Sequence, residues 1–148
     1  EIRLSLVGSE MCIRDRDGSA VGEETLKAVE NYIVSPKDRL KRLAPIGASV
    51  TISTVQDMTM KYRAVIELES NYSVDNVKEA FLSALKTYYR TAKDNEEIRY
   101  TVVSALLSNT AGVIDFSGLK INSGTDNIAV AADYYPVTTL SDLDFTEG

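Results

Sequence analysis

Carboxylates are the side chains whose type and spacing come nearest to chemistry in this 148-residue sequence. Asp115, Asp126, Asp133, Asp142 and Asp144 crowd its last third and could hold Ca²⁺ if their oxygens converged. They lack the D-x-[DN]-x-[DN]-G spacing that brings oxygens around one ion, so turn formation and solvation account for them better. The pairs Glu67/Glu69 and Glu96/Glu97 suggest acid–base work. The first pair falls on the polar face of a strand and the second at a helix start, where solvated carboxylates are expected without catalysis. With no His, neither a zinc–histidine site nor a Ser-His-Asp triad can be built. One Cys, Cys12, excludes an internal disulfide.

Cationic chemistry is equally sparse. Lys37, Arg39, Lys41 and Arg42 form one short basic run without interleaved aromatics. The whole chain carries 16 Lys and Arg against 22 Asp and Glu, a net charge of −6. Nucleic acid and anionic membranes both demand a basic footprint, so neither is expected as a partner, and the run reads as a surface connector or protein contact. Gly112 and Gly118 fit no phosphate-cradling pattern. The sequence therefore assigns no catalytic, cofactor-binding or metal-ligating residue, and no small-molecule substrate is expected.

Docking is what the residue types leave open. Eight Tyr stand beside three Phe and no Trp. Tyr62 and Tyr88 fall on apolar faces, whereas Tyr89, Tyr134 and Tyr135 have no assigned core face. Tyrosine is favoured at protein interfaces because one end is apolar and the other polar. These three, with Lys61 and Arg63 on the polar face of the best strand, are the candidate protein-interface residues.

The elements that would position them follow from periodicity. Leu26, Val29, Tyr32 and Ile33 share one face of a helix over 22–34, ended by Ser35-Pro36. Val50–Val55 reads as a strand. Residues 58–69 alternate, with Met58, Met60, Tyr62, Ala64, Ile66 and Leu68 on the apolar side. The short Gln56-Asp57 link predicts that these two strands pair antiparallel. Ser73 caps a long helix to about Lys93, with a stripe of Val74, Val77, Phe81, Ala84, Leu85 and Tyr88 that should cover the apolar face of the alternating strand. A third helix spans about 97–108, with Ile98, Val102 and Leu106 inward and Val103 and Leu107 as further candidates. Strands at 113–116, 119–121, 128–130 and 137–145 complete the chain, with a turn tolerant of positive φ at 122–127. The order α-β-β-α-α-β-β-(β) gives an α+β fold, a mainly antiparallel sheet with about three helices on one face. A hydrophobic content of 44% with 26% charge suits one globular domain rather than a disordered tail.

The N-terminus stands apart. Leu6–Asp15 resembles the translation, in one frame, of the transposase-end adapter used in short-read DNA libraries. Such scars are set aside in fold reasoning. Residues 1–16 are therefore expected to be non-native and loosely attached, with 17–148 as the genuine segment and the natural reading frame extending upstream.

Residues 18–146 resemble the C-terminal part of the phage baseplate J-like family. The resemblance rests on an ordered set: Ala44-Pro-Ile-Gly47 before Val50-Thr-Ile52, the long helix with Tyr88-Tyr89, Gly112-Val-Ile-Asp-Phe116, Leu119-Lys-Ile-Asn122, Asp126-Asn-Ile128 and Tyr135-Pro-Val137. The sequence departs from the family pattern in two places: Thr138-Thr139 replace Leu-Gly after Pro-Val, and Ser123 replaces a turn Gly. The resemblance implies a non-catalytic wedge component of a phage or prophage tail baseplate, made in the host cytoplasm. Its implied partners are other wedge and hub proteins and copies of itself. The alternative is a small α+β ligand-binding or regulatory domain of a bacterial enzyme, which requires a concave apolar pocket with a few inward polar groups.

Overall fold

A computed structural model describes residues 3–7, 10–15, 20–34 and 51–148. In chain order the elements are β1 (Arg3–Val7), β2 (Glu10–Arg14), α1 (Glu23–Val34), β3 (Thr51–Thr54), β4 (Gln56–Thr59), β5 (Tyr62–Leu68), α2 (Val74–Asp94), β6 (Glu97–Ile98), α3 (Tyr100–Ser108), β7 (Val113–Ile121), β8 (Ile128–Ala129), β9 (Tyr134–Val137), a 3₁₀ turn (Leu140–Asp142) and β10 (Leu143–Glu147). The basic run Lys37–Arg42, the Ser35-Pro36 stop and Ala44-Pro45-Ile46-Gly47 lie outside the described residues.

The class is α+β, and its sheets are mixed. Two compact units divide the chain: residues 1–57 with 133–135, and residues 58–132 with 136–148. In the first unit the sheet order is β1-β2-β3, with β1 antiparallel to β2 and β2 parallel to β3. The expected loose attachment of residues 1–16 is not what this unit contains. β2 lies between two strands, pairing Ile13 with Thr54, and Ile13 is fully buried. An alternating segment beside an open strand edge satisfies its backbone groups by pairing there, whatever its origin. Helix α1 also belongs to this unit. Its Leu26, Val29 and Ile33 are half-buried, but Tyr32 stays 72% exposed and does not join their face.

The second unit is built around β5. Its order is β10-β5-β7, with β10 parallel and β7 antiparallel to the central strand. The expected hairpin between residues 50–55 and 58–69 does not form. β3 pairs with β2, β4 pairs with β9, and the alternating run breaks at Met60-Lys61. A link as short as Gln56-Asp57 suits a hairpin but does not compel one, and here both of its residues extend β4 instead. Met60 is nevertheless fully buried, and its amide donates to the Val137 carbonyl at 2.8 Å.

Within β5 the alternation holds. Tyr62, Ala64 and Ile66 are buried while Arg63, Val65 and Glu67 are exposed. Their cover is α2, as expected. Ser73 caps it: its hydroxyl accepts from the Asn76 amide, and the Asn76 side chain accepts from the Ser73 amide. Val77, Phe81, Leu85, Tyr89 and Ala92 form the buried stripe. Phe81 meets Tyr62 edge-on at 5.8 Å between ring centres and Phe145 of β10 at 5.4 Å. One helix residue thus contacts two adjacent strands. In α3 the buried residues are Val103 and Leu107, with Val102 and Leu106 only half-buried.

Polar groups lock this packing through a chain of hydroxyls. The Thr138 hydroxyl donates to the Met60 carbonyl at 3.0 Å. Its single proton is then committed, so it accepts from the Tyr89 hydroxyl. Tyr89 in turn accepts from Tyr62, 2.9 Å away. The direction Tyr62 to Tyr89 to Thr138 to Met60 is forced by one proton per hydroxyl and a carbonyl at the end. Thr138, the departure from the family pattern, is therefore the buried acceptor for Tyr89. Gly112 has φ +91°, and a Cβ there would lie 2.4 Å from the Tyr72 ring, so neither backbone nor space admits another residue.

Phe81→Ala should cost about 3–5 kcal/mol in denaturant unfolding, as a large-to-small loss at a fully buried site. Tyr89→Phe should cost about 1–3 kcal/mol by stranding the Tyr62 donor, and Tyr62→Phe should cost less because it removes only the chain's first donor. Burial, then the neighbouring Tyr89, pushes the Tyr62 phenol well above its ordinary value of 10.0. The folded state then keeps a proton that the unfolded chain releases above about 10, so stability falls as pH rises past that point. The alkaline unfolding slope should be shallower in Tyr62→Phe.

Candidate docking surface

The opposite face of β5 is where the candidate interface residues Lys61 and Arg63 lie, both exposed. Cross-strand register builds the surface around them. Arg63 stands opposite Asp144 of β10 on one side and Lys120 of β7 on the other. The Arg63 guanidinium pairs with Asp144 at 2.7 Å, with both side chains more than half exposed. Beside this row lies a cleft of about 250 Å³ lined by Lys61, Arg63, Lys120, Ser123, Asp142 and Asp144. Asn122 positions Lys61: its side-chain carbonyl accepts from the Lys61 amide at 2.8 Å, while its own amide donates to the Lys61 carbonyl at 2.9 Å. Asn122 and Ser123 both have positive φ, as the sequence of the turn predicts.

The other rim of the cleft is held by the 3₁₀ turn. Asp142 accepts from the Thr139 amide at 2.9 Å and the Thr139 hydroxyl at 2.6 Å. The hydroxyl, then the amide, holds the Asp142 carboxyl below its ordinary range, and Lys61 adds a smaller pull in the same direction. Thr139, the other residue of the Thr138-Thr139 departure from the family pattern, is thus a cap.

The tyrosines divide differently from expectation. Tyr89 is 1% exposed and belongs to the core; Tyr135 is 6% exposed. Tyr134 remains at the surface, in the first unit. Tyr88 accepts from the Arg99 amide at 2.9 Å, and Tyr100 donates to the Leu119 carbonyl at 3.0 Å. Of the eight Tyr, Tyr62, Tyr89 and Tyr135 are buried, Tyr88 and Tyr100 are half-buried with bonded hydroxyls, and Tyr32, Tyr72 and Tyr134 are exposed. Lys120 is absent from the candidates read from sequence, and Asp142 and Asp144 are weighed there only as calcium ligands and not as interface residues. The alternation of Leu119-Lys-Ile121 and of Leu143-Asp-Phe145 was the available signal, since each places its charged residue on the outer side of an edge strand. Among the described residues no group of three His, Cys, Asp or Glu could hold a metal ion, and no helix is long and apolar enough to cross a membrane.

Comparison with known proteins gives this surface its context. Residues 58–140 match the family described as the Baseplate J-like protein C-terminal domain. The chain belongs to that family. The match to this baseplate J-like domain starts at Met58, where the second compact unit also starts. Two relatives come from Bacillus subtilis (strain 168). One is the uncharacterized protein YqbT, 29% identical over 75% of this chain and 32% of its own length. The other is the phage-like element PBSX protein XkdT, 25% identical over 72% of this chain and 31% of its own length. The chain thus spans about a third of the curated relatives it matches. A chain of the anti-feeding prophage (AFP) baseplate has a similar fold, with a TM-score of 0.54 at 8% identity, over 87% of this chain and 29% of that one.

The Asp142 cap carries a pH signature. Because its native pKa is lowered, its contribution is present above the ordinary carboxylate value of about 4 and is lost as pH falls through the native value. Acid titration of stability should show this limb, and Asp142→Asn should flatten it. Lys61→Ala should leave unfolding within about 0.5 kcal/mol of the parent, and a double-mutant cycle on Arg63 and Asp144 should give about 0.2–1 kcal/mol.

Proposed function

We propose that this chain is a structural, non-catalytic component of a phage or prophage tail baseplate, assembling with other wedge and hub proteins and with copies of itself. Its place is the tail baseplate, after synthesis in the host cytoplasm. The observation that carries the reading is the family match over residues 58–140, with support from the PBSX-element relative and the baseplate fold. The exposed row Asp144–Arg63–Lys120 with Lys61 is the docking surface within that reading, and Tyr134 is a second contact. Charged rows on a rigid sheet suit recognition of a protein partner, where electrostatic complementarity selects the correct register. The alternative of a ligand-binding domain draws no support from the cleft, which is lined by five charged side chains, two Ser and Tyr62 where small-molecule pockets are lined mostly by apolar side chains.

We also read residues 5–16 as adapter-derived, on the match across Leu6–Asp15. Sequencing the locus without transposase-made libraries should find a different frame running into Asp17. The same codons in a genomic clone would overturn that origin.

Assembly tests the main reading. Tail particles should be purified from a host whose natural full-length protein carries Lys61→Glu and Arg63→Glu. The parent protein should be found in the baseplate, and the variant should reduce assembled tails roughly tenfold or more with an unchanged melting temperature. Absence of the parent protein from purified tails would refute the reading.

A further inference from the structure

The outer face of the β10-β5-β7 sheet carries opposite charges at its two ends. At one end Arg63 stands opposite Lys120, and at the other Glu67 stands opposite Asp115. The rows are four positions apart on β5, roughly 13 Å along the strand. Between them lies an uncharged row of Thr146, Val65 and Ser117, with Val65 41% exposed. Like charges placed directly opposite on neighbouring strands destabilise the pair. Asp144 relieves Arg63, but among the described residues Lys120, Glu67 and Asp115 make no ion pair.

We infer that this face docks on the same face of a second copy of the chain, about a two-fold axis lying in the interface and perpendicular to the strands. The inference rests on the assembly reading above and names the partner of its docking surface. Such an axis reverses strand direction while keeping each strand over its own counterpart. Arg63 then meets the second copy's Glu67, Lys120 meets its Asp115, and Val65 meets Val65 at the centre. Each row of like charges gains the opposite row. A two-fold axis along the strands would lay Lys120 over the second copy's Asp144, already paired with Arg63, but would stack Glu67 on Glu67 and Arg63 on Arg63 and leave Asp115 without a cation, which the charges disfavour. Face-to-face sheets sit about 10 Å apart, a gap that Arg and Glu, or Lys and Asp, span from opposite sides. A two-fold contact of this kind closes on itself and yields dimers rather than filaments.

Sedimentation equilibrium of the 148-residue chain at low salt tests the pairing. The parent should form dimers that weaken as salt is added. Lys120→Glu and Asp115→Lys should each weaken dimerisation roughly tenfold or more, and the double variant should restore it. Asp115→Lys also makes the chain less acidic, so simple relief of charge repulsion would strengthen association and contradict the pairing. A parent that stays monomeric, a double variant no better than the singles, or open-ended polymers would each overturn it. Dimers with this pattern formed by a protein absent from purified tails would uphold the pairing and refute the baseplate reading. Tails that contain the protein, beside a chain that does not dimerise, would do the reverse.

Discussion

Everything in the second unit depends on β5 keeping one face dry and the other wet. It is the central strand of its sheet, so a register slip of one residue would bring Arg63 and Glu67 into the core and expel Tyr62 and Ile66. Two devices prevent the slip. Phe81 contacts rings on both β5 and β10, fixing helix to sheet. The hydroxyl chain from Tyr62 through Tyr89 and Thr138 to the Met60 carbonyl ties the strand, the helix and the segment after β9 at one buried point. Buried polar groups are costly unless each is satisfied, and here every proton has an assigned acceptor, which makes the arrangement specific as well as stable.

With the inner face fixed, the outer face is a rigid display. Arg63, Val65 and Glu67 emerge from the same strand whose inner residues lock the core. The edge strands then bring charge that is distant in sequence beside them, Asp144 from the C-terminal end and Lys120 from β7. The carboxylates that line the cleft are engaged by a helical cap and an exposed ion pair. This is the face that we propose recognises another protein by matching charge along a strand.

Local pattern made much of this legible beforehand. The capped long helix, the alternation of β5 and the packing between them follow from period and capping chemistry, which act over a few residues. Strand partnership was not legible, because the choice of β2 rather than residues 58–69 as partner for β3 is made by tertiary packing. The break at Met60-Lys61 was equally hidden, since Met60 stays buried and the apolar count is unchanged. For the surface, Lys61 and Arg63 were visible on the polar side of the strand. Lys120 and Asp144 joined them only through register. Tyr89 continues the 77-81-85 row of the helix, but the sequence places Tyr88 on the same stripe, and the hydroxyl partner that holds Tyr89 inward, Thr138, is 49 positions away.

Lysine reactivity is the most direct measure of whether the outer face of β5 is an assembly surface. Lys61 and Lys120 are exposed in the isolated chain and flank that face, while Lys78 and Lys86 lie on the separate surface of α2 and serve as internal references. Amine labelling with mass-spectrometric readout should modify Lys61 and Lys120 readily in the free chain. In purified tail baseplates both should be strongly protected relative to Lys86. Equal labelling of Lys61 and Lys120 in the free and assembled states would show that this face stays open to solvent, contradicting the account.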